Sequence, residues 1–376
     1  VNQLDTHILW AKRIMPLAGA NLGDSAIATP DLAALGLPDA APYDPRGSDG
    51  AEELGRVLGQ RWRAPDGEVR VTAGASEANI IVLGALLDPG DEVLIESPGY
   101  EPHRLGARLV GARLRTFRRP LGAPGGAVAD AVERALTRDT RLVVLSHPHN
   151  PSGGALDDAD LAGLDRLAAV HGFRILVDET FRDCDPNQPL GTVASRGPCW
   201  IVTSSLTKSY GLGGLRIGWI AADAATLERC GEVHDQLSSE PSALSVSLAR
   251  ALVPHLDALR IRTHRILATN RCQWLALLAR QSLLRVPGPS ASTCTWAELA
   301  GEGQGDAFAA FAFERFSLVI VPGRYFGDPS GVRITLGHEP ARFAPALRLL
   351  ERATAAFTSS SASAGSRAGA DTPEPA

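Results

Sequence analysis

Paired cysteines are what this chain most clearly lacks. Its five cysteines, Cys184, Cys199, Cys230, Cys272 and Cys294, are scattered, odd in number and never spaced as CxxC. That argues against a disulfide framework and against a zinc site, and for a reducing cytoplasm. A basic excess is missing too. The net charge is −5 and no run of Lys or Arg stands out, so nothing provides the positive field that nucleic acid requires. No apolar run reaches the ~18 residues of a membrane span. Residues 1–19, with Trp10, Lys12 and Arg13 in a helix-like pattern, lack the charged-then-apolar order of a signal peptide. The expectation is a soluble intracellular protein that binds no metal, nucleic acid or membrane.

What the chain has is length and apolar content. Its 376 residues, 44% of them hydrophobic, can bury a large core and divide into two lobes. Between Glu68 and Ala222 short β-rich runs alternate with helical ones. Runs 91–97, 142–146, 173–178 and 200–204 are apolar almost throughout, as strands of a mostly parallel sheet covered on both faces are. Asp157 reads as a helix cap, with Leu161, Leu164, Leu167 and Ala168 at helical spacing and Gly172 as the stop. Ala78 to Leu87 is a second helix, and Ser242 to Ser282 is a helical stretch interrupted at Pro254. Strand-like runs at 294–299, 317–321 and 332–336, interleaved with helices and closed by a helix over 341–357, form a smaller α+β lobe. The fold class is α/β, a large domain with a mostly parallel sheet of the seven-stranded type plus a smaller C-terminal α+β domain. The expected division is an N-terminal segment over 1–42 packing near the cleft, a large domain over 43–282, a small domain over 283–357, and a disordered Ser/Ala/Gly/Thr/Pro tail over 358–376.

The densest chemistry lies between Ser205 and Gly218. Lys208 stands between a Ser/Thr run and a loop carrying Gly211, Gly213 and Gly214, with Ser205 before it and Arg216 after it. An amine that attacks a carbonyl needs a cramped, partly cationic setting that favours its neutral form. A phosphate needs hydroxyl, backbone N–H and arginine donors. One stretch supplies both, as a ligand carrying an aldehyde and a phosphate would require. Asp178 ends an apolar strand, where a carboxylate must be paired or neutralised. Gly74, Ala75 and Ser76 lie between a strand and a helix, where small residues and free N–H groups suit an anion. Tyr100 follows a Pro-Gly turn at a strand end, the edge at which open α/β sheets bind ligands. Asn150 lies in a Pro-Ser-Gly turn, and Arg333 among alternating apolar neighbours in a strand of the small lobe.

In order, Thr72-Ala73-Gly74-Ala75-Ser76-Glu77-Ala78, Asp88-Pro89-Gly90-Asp91-Glu92-Val93, Ser97-Pro98-Gly99-Tyr100, His149-Asn150-Pro151-Ser152-Gly153, Asp178-Glu179-Thr180-Phe181, Ser205 to Gly218 and Val332-Arg333-Ile334 resemble the class I/II aminotransferases, fold-type I enzymes dependent on pyridoxal 5′-phosphate (PLP). The resemblance runs from Tyr43 to Phe357. It implies that Lys208 binds the cofactor covalently and that Asp178 keeps its pyridine nitrogen protonated. Ala75, Ser76, Ser205 and Arg216 would hold the phosphate, Tyr100 would stack on the ring, and Asn150 would bond the 3-hydroxyl. Arg333 would clamp the substrate α-carboxylate, with Asn150 beside it. Tyr43 would reach the phosphate of the neighbouring subunit in a homodimer.

The chain departs from the family pattern at Phe181, where a tyrosine usually donates a second bond to the cofactor hydroxyl. Phenylalanine here is similar to relatives that oxidise or cyclise amino acids, among them enzymes resembling capreomycidine synthase and the PLP-dependent arginine oxidases. The expected function is therefore an aminotransferase acting on an α-amino acid and a 2-oxo acid. The alternative is a PLP enzyme of specialised metabolism that eliminates, cyclises, decarboxylates or oxidises its substrate. Asp24, Ser25, His103 and Arg182 are polar residues to which the sequence assigns no role.

Overall fold

The computed structural model describes residues 6–35 and 48–368. Its strands are β1 (Ala20–Asn21), β2 (Arg70–Thr72), β3 (Glu92–Ser97), β4 (Arg113–Arg118), β5 (Thr140–Ser146), β6 (Arg174–Asp178), β7 (Trp200–Ser205), β8 (Gly218–Ala221), β9 (Cys294–Glu298), β10 (Leu318–Val319), β11 (Val321–Pro322) and β12 (Gly331–Thr335). Seven of them form one sheet in the order β2-β8-β7-β6-β5-β3-β4. Every pairing in it is parallel except the two made by β8.

The apolar runs of the sequence become strands buried from both sides. Val93, Ile95, Leu142, Val144, Leu176 and Ile201 point to one face, against Ile81 and Val82 of the helix Ala75–Leu86. Their alternates Leu94, Val143, Leu145, Ile175, Val177 and Val202 point to the other face, against Leu164 and Leu167. The last two belong to the helix Asp158–His171, which Asp157 caps in a reciprocal box with Asp160 and which Gly172 ends at φ 75°. Parallel strands joined by helical crossovers bring successive strand ends to one edge of the sheet. Asp178 and Ser205 are the terminal residues of neighbouring strands on that edge.

β4 escapes the apolar pattern. It is one of the two edge strands, its arginines 113, 115 and 118 are exposed, and only Phe117 is buried. Charged edges of this kind discourage pairing with another chain.

A second sheet, β11-β12-β9, is antiparallel, and β1 pairs with β10 beside it. Leu22 and Ile27 from the N-terminal segment are buried in the apolar cluster of this C-terminal part. The helix Leu256–Leu278 straddles the two cores: Leu256 and Leu259 pack with the large sheet, Ile266, Leu267, Trp274 and Leu277 with the small one.

The final helix runs Pro340–Ala368, longer than the 341–357 expected for it. Its composition is rich in alanine, the strongest helix former, and that propensity outweighs the serines. Thr358 and Ser359 return their hydroxyls to the carbonyls of Thr354 and Ala355. Phe357 still packs on the C-terminal core, against Phe308 and Phe311. Residues 369–376 lie outside the described part.

Asp157 accepts hydrogen bonds from the N–H groups of Asp160 (2.7 Å) and Gly125 (2.8 Å), and these bonds hold its carboxyl below the usual value. Asp157→Ala is expected to destabilise the fold by about 0.5–2 kcal/mol in chemical unfolding at neutral pH. A depressed folded-state pKa contributes stability above the unfolded value, so the penalty should shrink as the wild-type carboxylate is protonated in acid. A pH-independent penalty would contradict the capping role.

Candidate active site

The site forms where the strand ends of the large sheet meet β12 and the N-terminal segment. Lys208 lies just past β7. Its Nζ donates to Ser25 Oγ at 2.8 Å. Burial lowers the amine's pKa and Arg333 lowers it further, while Asp24, Cys294 and Asp178 oppose the shift. An amine so placed is more readily neutral, and so nucleophilic, than an exposed lysine.

Asp178 is 8% exposed. Its Oδ1 accepts from the Thr180 N–H at 3.0 Å and from the Thr180 hydroxyl. Its Oδ2 has longer contacts, to Asn79 Nδ2 at 3.4 Å and His103 Nε2 at 3.5 Å. Burial alone would raise this carboxyl, but the hydrogen bond and charge of His103, followed by the Thr180 donors, outweigh it and hold the pKa below its ordinary value. Asn79 is fixed in turn by Thr203, whose hydroxyl donates to Asn79 Oδ1 at 2.6 Å. The result is a carboxylate kept ionised inside the protein with one oxygen lightly used.

Tyr100 lies edge-on to His103, ring centroids 5.3 Å apart. Burial, then the Asp178 charge, pushes its phenol up, and the Ser76 hydroxyl is the first of the groups that offset this. Ser76 lies in the first turn of the helix Ala75–Leu86, whose N-cap Gly74 has φ 98°. A Cβ at Gly74 would come within 2.3 Å of Arg216 Nη2. Arg216 itself is in the left-handed region at φ 53° and bonds the carbonyls of Ala73 (3.2 Å) and Gly213 (3.3 Å). Glycine, helix N-terminus and guanidinium thus converge on one spot, a donor set suited to phosphate. Ser205 pairs with Gly218 of the neighbouring strand, whose Cβ would come within 2.5 Å of the Ala75 nitrogen, and its hydroxyl accepts from the Thr207 N–H at 3.3 Å.

Arg333, 1% exposed, projects from β12. Nη1 donates to Asn150 Oδ1 at 3.2 Å and Nη2 to the Gly23 carbonyl at 3.0 Å. Its guanidinium lies over the Phe326 ring at 5.1 Å, and its Nε is buried without a partner among the described residues. The Asn150 N–H donates to Ser146 Oγ at 3.1 Å, which anchors the turn to the end of β5.

The structure therefore gathers Lys208, Asp178, Asn150, Arg333, Tyr100, Ala75, Ser76, Ser205 and Arg216. Tyr43 lies outside the described residues. Phe181 packs in the apolar cluster with Leu22, Ile27 and Cys184. Of the four unassigned polar residues, Ser25 touches Lys208, Asp24 occupies the same turn, and His103 backs Asp178. Arg182 instead pairs with Glu179 at 3.3 Å. Sequence reasoning missed Asn79, Thr180 and Gly23; the only signal for Asn79 is a polar residue inside an otherwise apolar helix.

A family model for aminotransferases of class I and II matches residues 47–350, and the chain belongs to that family. It is a PLP-dependent enzyme. Capreomycidine synthase of Streptomyces vinaceus is 31% identical over 299 residues, 76% of this chain and 74% of that protein. Arginine–pyruvate transaminase of Pseudomonas aeruginosa is 28% identical over 308 residues, 77% of this chain and 76% of its own. Among solved structures, a PLP-dependent aminotransferase from Streptococcus suis matches with a TM-score of 0.83 at 21% identity, covering 93% of this chain and 97% of that one, a likeness of fold. The PLP-dependent cyclase OrfR matches with a TM-score of 0.83 at 25% identity, covering 93% and 96%.

The residues fit PLP on two observations: the cradle at Gly74 that a Cβ would fill, and the Asp178 oxygen with acceptor capacity to spare. Gly74→Ala should drive Arg216 out of the cradle and raise the PLP dissociation constant about tenfold or more, as loss of one charge-assisted bond would. Fluorescence titration of the apoprotein with PLP measures this, and an unchanged constant would contradict the placement of Arg216.

Proposed function

We propose that the protein is an aminotransferase that moves an amino group between an α-amino acid and a 2-oxo acid. The bond between Arg333 and Asn150 carries the reading, because it ties a carboxylate clamp to a group that would face the cofactor. The phosphate is assigned to Ala75, Ser76, Ser205 and Arg216, the ring face to Tyr100, the pyridine nitrogen to Asp178 and the 3-hydroxyl to Asn150. Since Arg333 occupies Asn150 Oδ1, the Asn150 Nδ2 is left to donate to that hydroxyl. Tyr43 is assigned to the phosphate of the neighbouring subunit in a homodimer.

When bound, PLP supplies an aldehyde that joins amines and a ring that takes up the electron pair of a broken Cα bond. The protein supplies the rest. Arg333 receives the substrate α-carboxylate in a two-pronged grip and so selects which Cα bond is presented for cleavage. Asp178, held anionic by Thr180 and His103, steadies positive charge on the pyridine nitrogen. Lys208, displaced by the incoming amine, takes the Cα proton on Nζ and returns it to the former aldehyde carbon. Its lowered pKa suits it to both steps.

A second reading is favoured by Phe181, which offers no phenol beside the 3-hydroxyl. Loss of one such donor is worth about 0.5–1.5 kcal/mol. Together with the likeness to capreomycidine synthase and a PLP-dependent cyclase, it supports cyclisation or elimination on the same residues. A panel of amino acids headed by arginine with pyruvate, the pair in the name of the Pseudomonas relative, separates the two. Formation of pyridoxamine phosphate and a 2-oxo acid supports transamination; retained PLP with released ammonia or a cyclic product supports the alternative.

Borohydride treatment of the holoenzyme is expected to fix a pyridoxyl group on Lys208, and Lys208→Ala should lose both the adduct and turnover. An adduct on another lysine would overturn the assignment. Asp178→Ala should still bind PLP while turnover falls about tenfold to a hundredfold, the equivalent of a charge-assisted bond. A wild-type rate would refute the role of Asp178.

A further inference from the structure

Residues 21–28 cross the cleft as a strap held from both sides. Leu22 N–H donates to Val319 and Thr335 N–H to Leu22, binding the strap to the C-terminal part. Arg333 holds the Gly23 carbonyl and the Thr293 hydroxyl holds that of Ser25, at 2.8 Å. On the other side Ile27 N–H donates to the carbonyl of Lys208 itself at 3.0 Å, while Ala28 N–H returns to the C-terminal part at the Gly337 carbonyl. Within the strap, Asp24 Oδ1 accepts from Ser25 N–H at 2.7 Å and Ala26 N–H at 3.4 Å, which fixes the turn. Ser25 is thereby placed by its own backbone and by both flanking residues. Its hydroxyl meets Lys208 Nζ at 2.8 Å.

We propose that Ser25 is a catalytic residue whose hydroxyl holds the Lys208 amine in line for proton transfer once substrate has displaced it. The inference rests on the role proposed for Lys208. In that step the substrate Cα–H bond breaks and its proton goes to the Nζ lone pair, while the electron pair passes into the cofactor ring. On return, an N–H bond of the ammonium would break and its proton would join the former aldehyde carbon, bonded there by the electron pair coming back from the ring, while the pair left on nitrogen would restore the neutral amine. A lysine on a flexible four-carbon stem has no intrinsic orientation. One N–H committed to Ser25 limits the directions the lone pair can take, and a misplaced donor or acceptor is costly in rate. The bond also strengthens when the amine becomes an ammonium, because charge-assisted hydrogen bonds are the stronger kind. Ser25 therefore favours the protonated form, and its removal makes Lys208 less basic.

The test uses the full chain with Ser25→Ala and Ser25→Thr, the second retaining a hydroxyl. In the apoprotein, the rate of covalent capture of added PLP rises with pH as the amine loses its proton. Ser25→Ala should move that midpoint down by about one pH unit, as loss of a bond to a charged group implies. In the holoenzyme, turnover should fall about tenfold, and the isotope effect from Cα-deuterated substrate should grow as proton transfer becomes limiting. Ser25→Thr should restore the midpoint and the isotope effect towards wild type. An unmoved midpoint, an unmoved isotope effect, or a Ser25→Thr variant as impaired as Ser25→Ala overturns the proposal. Wild-type apoprotein that captures no PLP overturns the role of Lys208 instead, and Ser25 with it.

Discussion

A carboxylate held ionised at the end of a buried strand is the constraint on which the rest of this molecule depends. Moving a lone charge into the interior costs several kcal/mol unless it is paired and hydrogen-bonded. Asp178 is supported by Thr180 from its own chain segment, by His103 from the helix Glu101–Leu109 and by Asn79 from the helix Ala75–Leu86, itself fixed by Thr203. Each of these polar groups would be a liability elsewhere in so apolar a core. Here they converge on one anion and leave it an oxygen to share. The sheet sets the position, since β6 delivers Asp178 and its neighbour β7 leads to Lys208 on the same edge.

Behind the residues assigned to the cofactor lies a second buried layer. Glu96 and Arg119 form an ion pair at 2.5 Å with side chains 0% and 3% exposed. Glu96 accepts the Ser146 N–H at 2.8 Å and its hydroxyl, and Arg119 donates to the Ser146 carbonyl at 3.0 Å. Ser146 then holds the backbone of Asn150. His149 bonds the Pro98 carbonyl at 2.8 Å and Ser152 at 2.7 Å, joining the turn of Asn150 to the turn that precedes Tyr100. A carbonyl partner makes His149 Nε2 the protonated nitrogen. Burial, the largest effect, lowers its pKa to about 4, so the ring is neutral under ordinary conditions. Breaking the Glu96–Arg119 pair on one side would leave an uncompensated charge at a cost of about 3–5 kcal/mol.

Much of this was legible in the sequence, for a physical reason. Strands buried on both faces read as apolar runs, so β3, β5, β6 and β7 stood out. The site residues at their ends stood out as polar groups terminating such runs. β4 did not, because an edge strand can carry arginines on an exposed side. The length of the final helix was harder to read, because a Ser/Ala composition weak in bulky residues is also strong in helix propensity. Ser25, Asn79 and His103 were hidden more deeply. Their places in the site arise from contacts across 183, 99 and 75 positions of chain, between Ser25 and Lys208, Asn79 and Asp178, and His103 and Asp178, and no local spacing encodes those.

The state of the ring nitrogen in bound PLP tests the central claim most directly. With PLP labelled at that nitrogen with ¹⁵N, the chemical shift in the holoenzyme reports whether the nitrogen carries a proton. An anionic Asp178 requires a protonated nitrogen at neutral pH that stays protonated well into the alkaline range, and Asp178→Ala should abolish it. A neutral ring nitrogen in the wild-type enzyme at neutral pH would contradict the claim.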